Sequence, residues 1–390
     1  MIFTTCMLFI GSAYAVLLPN PTGPFWVAVS VNTLTDATHM DPFAPDDMPQ
    51  HRRVLISTFI PLNITTAPCV SRATPYMTPL VAGDYDILAG SVGLPNTTFA
   101  SLTMQLCDVP RHAFCSRVHS DQYETAKTPR PLVLFSPGFG QSRLLYGAMA
   151  RSLASEGYIV VTVNHPYDAT VIEFTDGSFV RAANISTDDE TALEMVIQVR
   201  VADISFVIDQ LQNSTTLRQP IENGASTVDF DRIIMCGHSL GGAASAATML
   251  TESRILGGID LDGRFFSPVT EIGVDRPFLE IGRPNHHDED PTWDEFYNHT
   301  GAERIEISIN ATNHSSFTDY PAIMTALNLT DTAKESLQDF LGTGDWAGID
   351  GIIKSLVRAF GTFLFEGTVL DILRGSDANF FEVEIVCSNL

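Results

Sequence analysis

The pentapeptide Gly237-His238-Ser239-Leu240-Gly241 lies between an apolar run, Ile233-Ile234-Met235-Cys236, and a segment of small residues, Gly242-Ala243-Ala244-Ser245-Ala246. A G-x-S-x-G between a strand and a helix forms a tight, strained turn that lifts the serine hydroxyl above the edge of a sheet. Its two glycines are a steric requirement, since a side chain at either position would collide with the adjoining strand or helix. The turn also aims the N–H of Leu240 at the place an attacked carbonyl oxygen would occupy. This one feature demands a strand, a sharp reversal and a packed helix, and it predicts a nucleophile at Ser239.

The surrounding pattern agrees with that demand. From Pro131 onward, β-rich runs at 131–136, 158–164, 232–237, 255–261, 277–282 and 303–309 are separated by segments long enough for crossover helices. Such spacing predicts a mostly parallel central sheet with helices on both faces, the α/β-hydrolase fold. One crossover helix is expected to start at a capping box of Thr187 and Glu190, followed by Leu193, Ile197, Val201, Ile204, Ile208 and Leu211 at helical spacing. Another is marked by Ile353, Leu356, Val357, Phe360 and Leu364. Upstream, Trp26–Val31 and Arg53–Ile60 read as paired antiparallel strands.

The expected organisation is a signal peptide over residues 1–15 and one catalytic domain over 16–390. Within that domain, 16–130 is an irregular, disulfide-stapled segment, 131–320 the catalytic core and 321–390 a helical C-terminal segment. No charged side chain occurs before Asp36, and Met7-Leu8-Phe9-Ile10 precedes Ala13-Tyr14-Ala15, a small-residue cleavage pattern. Pro19, Pro21 and Pro24 interrupt the apolar stretch before it reaches spanning length, so no transmembrane anchor is expected. A secreted, extracellular location follows, and N-x-S/T sites at Asn63, Asn96, Asn184, Asn213, Asn298, Asn310 and Asn328 are expected glycan acceptors. Asn313 also matches the pattern but adjoins a residue assigned to catalysis.

Cys6 would leave with the signal and Cys236 belongs to a buried strand, which leaves Cys69, Cys107, Cys115 and Cys387. Four cysteines in an oxidising compartment imply two disulfides, of which the pairing Cys107–Cys115 with Cys69–Cys387 is the expectation. Lys and Arg number 22 against 46 Asp and Glu, a net charge of −24 that repels nucleic acid and anionic membranes.

A serine hydroxyl needs a base within hydrogen-bond reach and a buried acid to hold that base in the right tautomer. In this fold the order along the chain is serine, acid, histidine. His314, a few residues past the run Arg304–Ile309, is the candidate base. Asp262 and Asp288 each follow a strand and are both candidate acids, whereas Asp260 falls inside one. The run His286-His287-Asp288-Glu289-Asp290 reads as a solvated, charged loop. The turn Ser136-Pro137-Gly138-Phe139-Gly140 supplies a second oxyanion donor, the N–H of Phe139, alongside that of Leu240. His165 follows a parallel strand and should face the same crevice, where it would shape the pocket or make a structural hydrogen bond.

These residues resemble the secreted platelet-activating factor acetylhydrolases and their fungal relatives. The likeness spans about 131–320 and rests on Leu132–Gly140, the Gly-His-Ser-Leu-Gly-Gly elbow, Ile259-Asp260-Leu261-Asp262-Gly263 and His314-Ser315-Ser316-Phe317-Thr318-Asp319. Pro137 departs from the histidine many members carry there. The resemblance favours Asp262 as the acid. It implies a serine esterase that removes short acyl groups, above all the sn-2 acetyl of ether phospholipids, with no metal or organic cofactor. The implied partner is a small-molecule or lipid ester met in transient contact with a lipid interface. A cutinase-like or polyester-type hydrolase would use the same residues, and a non-catalytic hydrolase-fold binding protein is the alternative from another class.

Overall fold

Leu132 and Leu134 pack into the core on one side of the sheet, Val133 and Phe135 into the core on the other. Ile233 and Met235 divide from Ile234 and Cys236 in the same way. A strand that is apolar at every position is stable only when both its faces are covered, which the helices between the strands accomplish. The computed structural model describes residues 15–62, 69–109 and 127–390.

In chain order the strands are β1 (Val16–Leu17), β2 (Trp26–Met40), β3 (His51–Leu62), β4 (Ser71–Pro75), β5 (Leu102–Cys107), β6 (Thr128–Ser136), β7 (Ile159–Asn164), β8 (Val171–Glu173), β9 (Phe179–Arg181), β10 (Ser226–His238), β11 (Ile255–Leu261), β12 (Phe278–Gly282), β13 (Arg304–Ile309) and β14 (Val383–Ser388). Twelve of them form one sheet in the order β1-β5-β2-β3-β7-β6-β10-β11-β12-β13-β14, with β4 paired to β5, while β8 and β9 make a separate ribbon. The centre, from β7 through β13, is parallel. β3 and β14 flank it in the antiparallel sense. The central strands match the expected runs, and the chain has the α/β-hydrolase fold.

The helix Glu190–Asn213 covers one face through Ile204, Val207, Ile208 and Leu211. The helices Gly147–Ser155 and Trp346–Glu366 cover the other through Leu153, Ala154, Leu356 and Phe360. The first of these helices is capped differently from expectation. Asp189, not Thr187, is the N-cap, and its carboxylate accepts from Ala192 N at 3.2 Å. An ionised cap adds its attraction for the helix N-terminus to the hydrogen bond.

The expected antiparallel pair is present, β2 and β3 running from Trp26↔Leu62 to Met40↔His51, and the segment expected to be irregular adds further strands, with β4 joining β5. No helix of the described residues is long and apolar enough to cross a membrane.

The disulfide expectation is corrected. Cys69 bonds Cys107, across 38 residues, fastening the lead into β4 onto the end of β5. Cys387 is a free thiol in β14. β5 and β14 lie near opposite margins of the sheet. At about 4.8 Å per strand that separation is on the order of 40 Å, far beyond any Cys–Cys bond. Cys107 being taken, Cys115 cannot pair with it; Cys115, Cys6, Asn63 and all but the last residue of the expected signal lie outside the described residues. Closing a loop of this length contributes about 3–4 kcal/mol. Cys69→Ser should therefore lower Tm by several degrees in thermal melts, with Cys387→Ser close to the parent protein.

Candidate active site

The elbow between β10 and the helix Leu240–Thr251 is set by backbone contact. A Cβ at Gly237 would lie 2.0 Å from the Gly241 carbonyl oxygen, and one at Gly241 would lie 2.0 Å from the Ser136 oxygen. Neither can exist, so the reversal stays tight enough to hold Ser239 at φ 57°, ψ −125°, a strained region for a residue with a side chain. Ser239 N donates to Leu261 O at 2.9 Å, tying the nucleophile candidate to the end of β11. The N–H groups of Phe139 and Leu240 donate to no acceptor among the described residues. Both are available to an incoming oxygen.

Asp262, immediately after β11, is buried with φ 57°. Its Oδ2 accepts from His314 Nδ1 at 2.6 Å. Its Oδ1 accepts from Arg283 N at 2.8 Å and from His286 Nδ1 at 2.7 Å. Burial alone would raise its pKa; the hydrogen bonds from His286 and His314, together with the charge of His286, win and hold the carboxyl well below the usual range. His314 stands at the start of a 3-10 turn, His314–Phe317. Asn313 Oδ1 accepts from His314 N, while Asn313 N donates to Ser316 Oγ and Phe317 is buried in the core. The His314 side chain itself is 46% exposed. Its ring lies 4.5 Å from that of His238, the residue preceding Ser239, which brings it beside the elbow.

Asp288 is exposed in a short helix, His286–Glu289, and makes no hydrogen bond to His314. Asp260 is buried and accepts from Gly263 N at 3.0 Å through both oxygens, and it makes no hydrogen bond to His314. The expectation of a solvated loop at 286–290 is also corrected. His286 is buried, stacked on Trp293 with ring centres 4.2 Å apart. Its position beyond the end of β12 was the available signal, the same criterion that selected Asp262 and His314, but the surrounding charges obscured it.

A second group of buried polar side chains sets the turn from Ser136 to Gly140, which carries the candidate Phe139 donor. Gly138 N donates to Tyr146 Oη at 3.0 Å, Tyr146 Oη donates to His238 Nδ1 at 2.8 Å, and His238 Nε2 donates to His314 O at 3.1 Å. The direction is determined because a carbonyl can only accept, so the neutral ring carries its proton on Nε2. Burial, reinforced by the neighbouring His314, pushes the His238 pKa down to about 3, which keeps that ring neutral.

Beneath the turn, Arg200 bonds Pro137 O and Ser136 Oγ at 2.5 and 3.2 Å and pairs with Asp168, whose other oxygen accepts from Gly140 N. His165 belongs to this layer. It bonds Ser136 Oγ at 3.0 Å and Asp203 Oδ2 at 2.8 Å, and it is 2% exposed, so it supports the turn from behind rather than facing the crevice. Asp203 is in turn paired with Arg52. Asp319 fixes the far side, accepting from Ala148 N, Met149 N and Tyr76 Oη at 2.6, 3.0 and 2.8 Å, which joins the His314 turn to the helix Gly147–Ser155.

The side chains of Phe139 and Leu240 belong to an apolar cluster with Phe43, Ile185, Leu193 and Phe266. An apolar wall therefore stands beside the two free N–H groups. Of the sequons, Asn96, Asn184, Asn213, Asn298, Asn310 and Asn328 are exposed. Asn313 uses its amide to bond Asp339 O.

The family model described as "Platelet-activating factor acetylhydrolase, isoform II" matches residues 115–178 and 180–332. A probable 1-alkyl-2-acetylglycerophosphocholine esterase of Arthroderma benhamiae is 29% identical over 383 residues, covering 94% of this chain and 93% of that protein. A platelet-activating factor acetylhydrolase of Bos taurus is 26% identical over 176 residues, 36% of this chain and 37% of that one. Among solved structures, a ferulic acid esterase from Streptomyces cinnamoneus superposes with a TM-score of 0.74 at 25% identity, covering 95% of this chain and 99% of its own.

Tyr146→Phe removes the shared hydroxyl and leaves Gly138 N–H and His238 Nδ1 without partners. A buried group so stranded costs about 1–3 kcal/mol. Chemical denaturation should show a loss of that size, together with a lower kcat from a displaced oxyanion turn.

Proposed function

The chain belongs to the platelet-activating factor acetylhydrolase, isoform II family and is an esterase; on that premise we propose that it is a secreted serine esterase that removes the sn-2 acetyl group of ether phospholipids. The observation that carries the reading is the hydrogen bond from His314 Nδ1 to the buried Asp262 carboxylate, beside the strained Ser239 elbow. With Nδ1 engaged, Nε2 is the ring nitrogen left to act as base.

In this mechanism Ser239 Oγ attacks the ester carbonyl as His314 Nε2 takes its proton. Among the described residues Ser239 Oγ and His314 Nε2 share no hydrogen bond, and in this mechanism that contact forms in the substrate complex, where catalytic hydrogen bonds tighten. The N–H groups of Phe139 and Leu240 hold the oxyanion, each worth about 3 kcal/mol of transition-state stabilisation. Asp262 stabilises the imidazolium that forms, without taking its proton. The proton then passes to the leaving alcohol oxygen, an acetyl-Ser239 ester remains, and water activated by His314 releases acetate. The apolar wall of Phe139, Leu240 and Phe266 would lie along the alkyl part of the substrate. The named relative from Arthroderma benhamiae supports the choice of ester. The uncharged, apolar N-terminal stretch and the exposed sequons support secretion.

Asp262→Asn should reduce kcat by about 10⁴-fold, and Asp288→Asn should leave it unchanged; the reverse order would move the acid to the later loop. A fluorophosphonate probe should label the protein but not Ser239→Ala. A panel of sn-2 acetyl phospholipid, long-acyl phospholipid, feruloyl ester and polyester film then tests the substrate. Turnover confined to the last two overturns the phospholipid assignment, and no labelling at all favours a binding role.

A further inference from the structure

One carboxylate here serves two imidazoles, and the mechanism above uses only one of them. We infer that His286 is a positioning residue for ester cleavage: it fixes the Oδ1 side of Asp262, so that Oδ2 stays aimed at His314. The inference rests on Asp262 being the acid of the reaction.

The geometry is built on several elements. His286 Nδ1 donates to Asp262 Oδ1 at 2.7 Å, and Nε2 faces Asp290 Oδ2 at 3.6 Å, so the ring lies between two carboxylates. Asp290 is itself held by Thr292 through N and Oγ1, at 3.0 and 2.7 Å. The opposite wall is Trp293, whose Nε1 donates to Gly263 O at 2.6 Å, next to Asp262 in the chain. Asp260 and Glu306 face the ring from β11 and β13, each with a carboxyl whose pKa burial pushes up, while Arg283 and His314 stand on the far side of Asp262. Burial opposes a charge on this ring; the two facing carboxylates outweigh it and raise the pKa to about 9. At neutral pH both ring nitrogens therefore carry protons.

A fixed positive charge on Oδ1 offsets part of the field that Asp262 exerts through Oδ2. The consequence is read in the acidic limb of the rate profile, whose position depends on the field Asp262 exerts through Oδ2. The arrangement also prevents the carboxylate from rotating away between catalytic cycles.

The test compares His286→Asn, which keeps a donor near the Nδ1 position without the charge, with His286→Leu, which removes both. In pH profiles of kcat/KM on a short-chain ester, His286→Asn should move the acidic limb upward by about one pH unit. His286→Leu should in addition lower kcat more than tenfold with little change in KM. A purely structural role would leave the limb in place in both variants, and that result overturns the inference. Should the leucine variant fail to fold, the asparagine profile decides alone.

Thermal melts give a second readout. Because the folded pKa lies above the unfolded 6.5, the stability from His286 is complete below about 6.5 and lost as pH rises through about 9. His286→Asn should flatten that slope, and an unchanged slope counts against a charged ring. Asp262→Asn separates the two failures: full activity there removes the premise, whereas lost activity with an unmoved His286→Asn profile removes only the role of His286.

Discussion

The tight approach of three backbone segments governs this molecule. The end of β10, the first turn of the helix after it and the loop leaving β6 come so close that no Cβ fits at Gly237 or Gly241. One contact therefore fixes the serine and, through Ser136 and Pro137, the loop that carries the Phe139 donor. The strain at Ser239, of order 1–3 kcal/mol, is sustained by a sheet whose central strands are buried on both faces. That contact brings Ser239 and the Phe139 loop together, and the hydrogen bonds of Tyr146, Arg200 and Asp168 hold the loop there.

Around that contact the charges are arranged in closed pairs. Arg200 with Asp168, and Arg52 with Asp203 and Asp41, lie out of water, as does the Asp262 carboxylate that two histidines share. An unpaired charge in such a place costs several kcal/mol, so each pair must be complete to persist. The result is a set of loops whose positions are over-determined from below, while the His314 ring is left partly open to solvent above.

Much of this was legible in the residues alone. Apolar runs of strand length and the glycine spacing of the elbow are local signals, so the central strands and the Ser239 turn could be read directly. Asp262 and His314 could be reached because both follow strands, and position past a parallel strand is a topological rule. Contacts between side chains distant in sequence were not legible. Nothing in the run at 286–290 distinguishes a buried imidazole from a solvated one until Trp293 and Asp262 are seen to enclose it. His165 met the same rule as His314 yet turned inward, because Asp203 and Ser136 lie behind it. Cysteine pairing failed for a related reason: it depends on which strands are neighbours, and β5 and β14 are not.

The chain of hydrogen bonds from Gly138 through Tyr146 and His238 to the His314 carbonyl has a single polarity, with no ring or hydroxyl free to flip on its own. The loops that carry Phe139 and His314 are thereby geared together, and a shift of one is transmitted to the other. By contrast Phe43, Ile185 and Phe266, which shape the apolar wall, sit on stretches outside that linkage. On the mechanism proposed, bond-breaking and choice of substrate fall on separable parts of the backbone, and a different acyl or alcohol group could be accommodated by exchanging those three side chains without detuning the reactive centre.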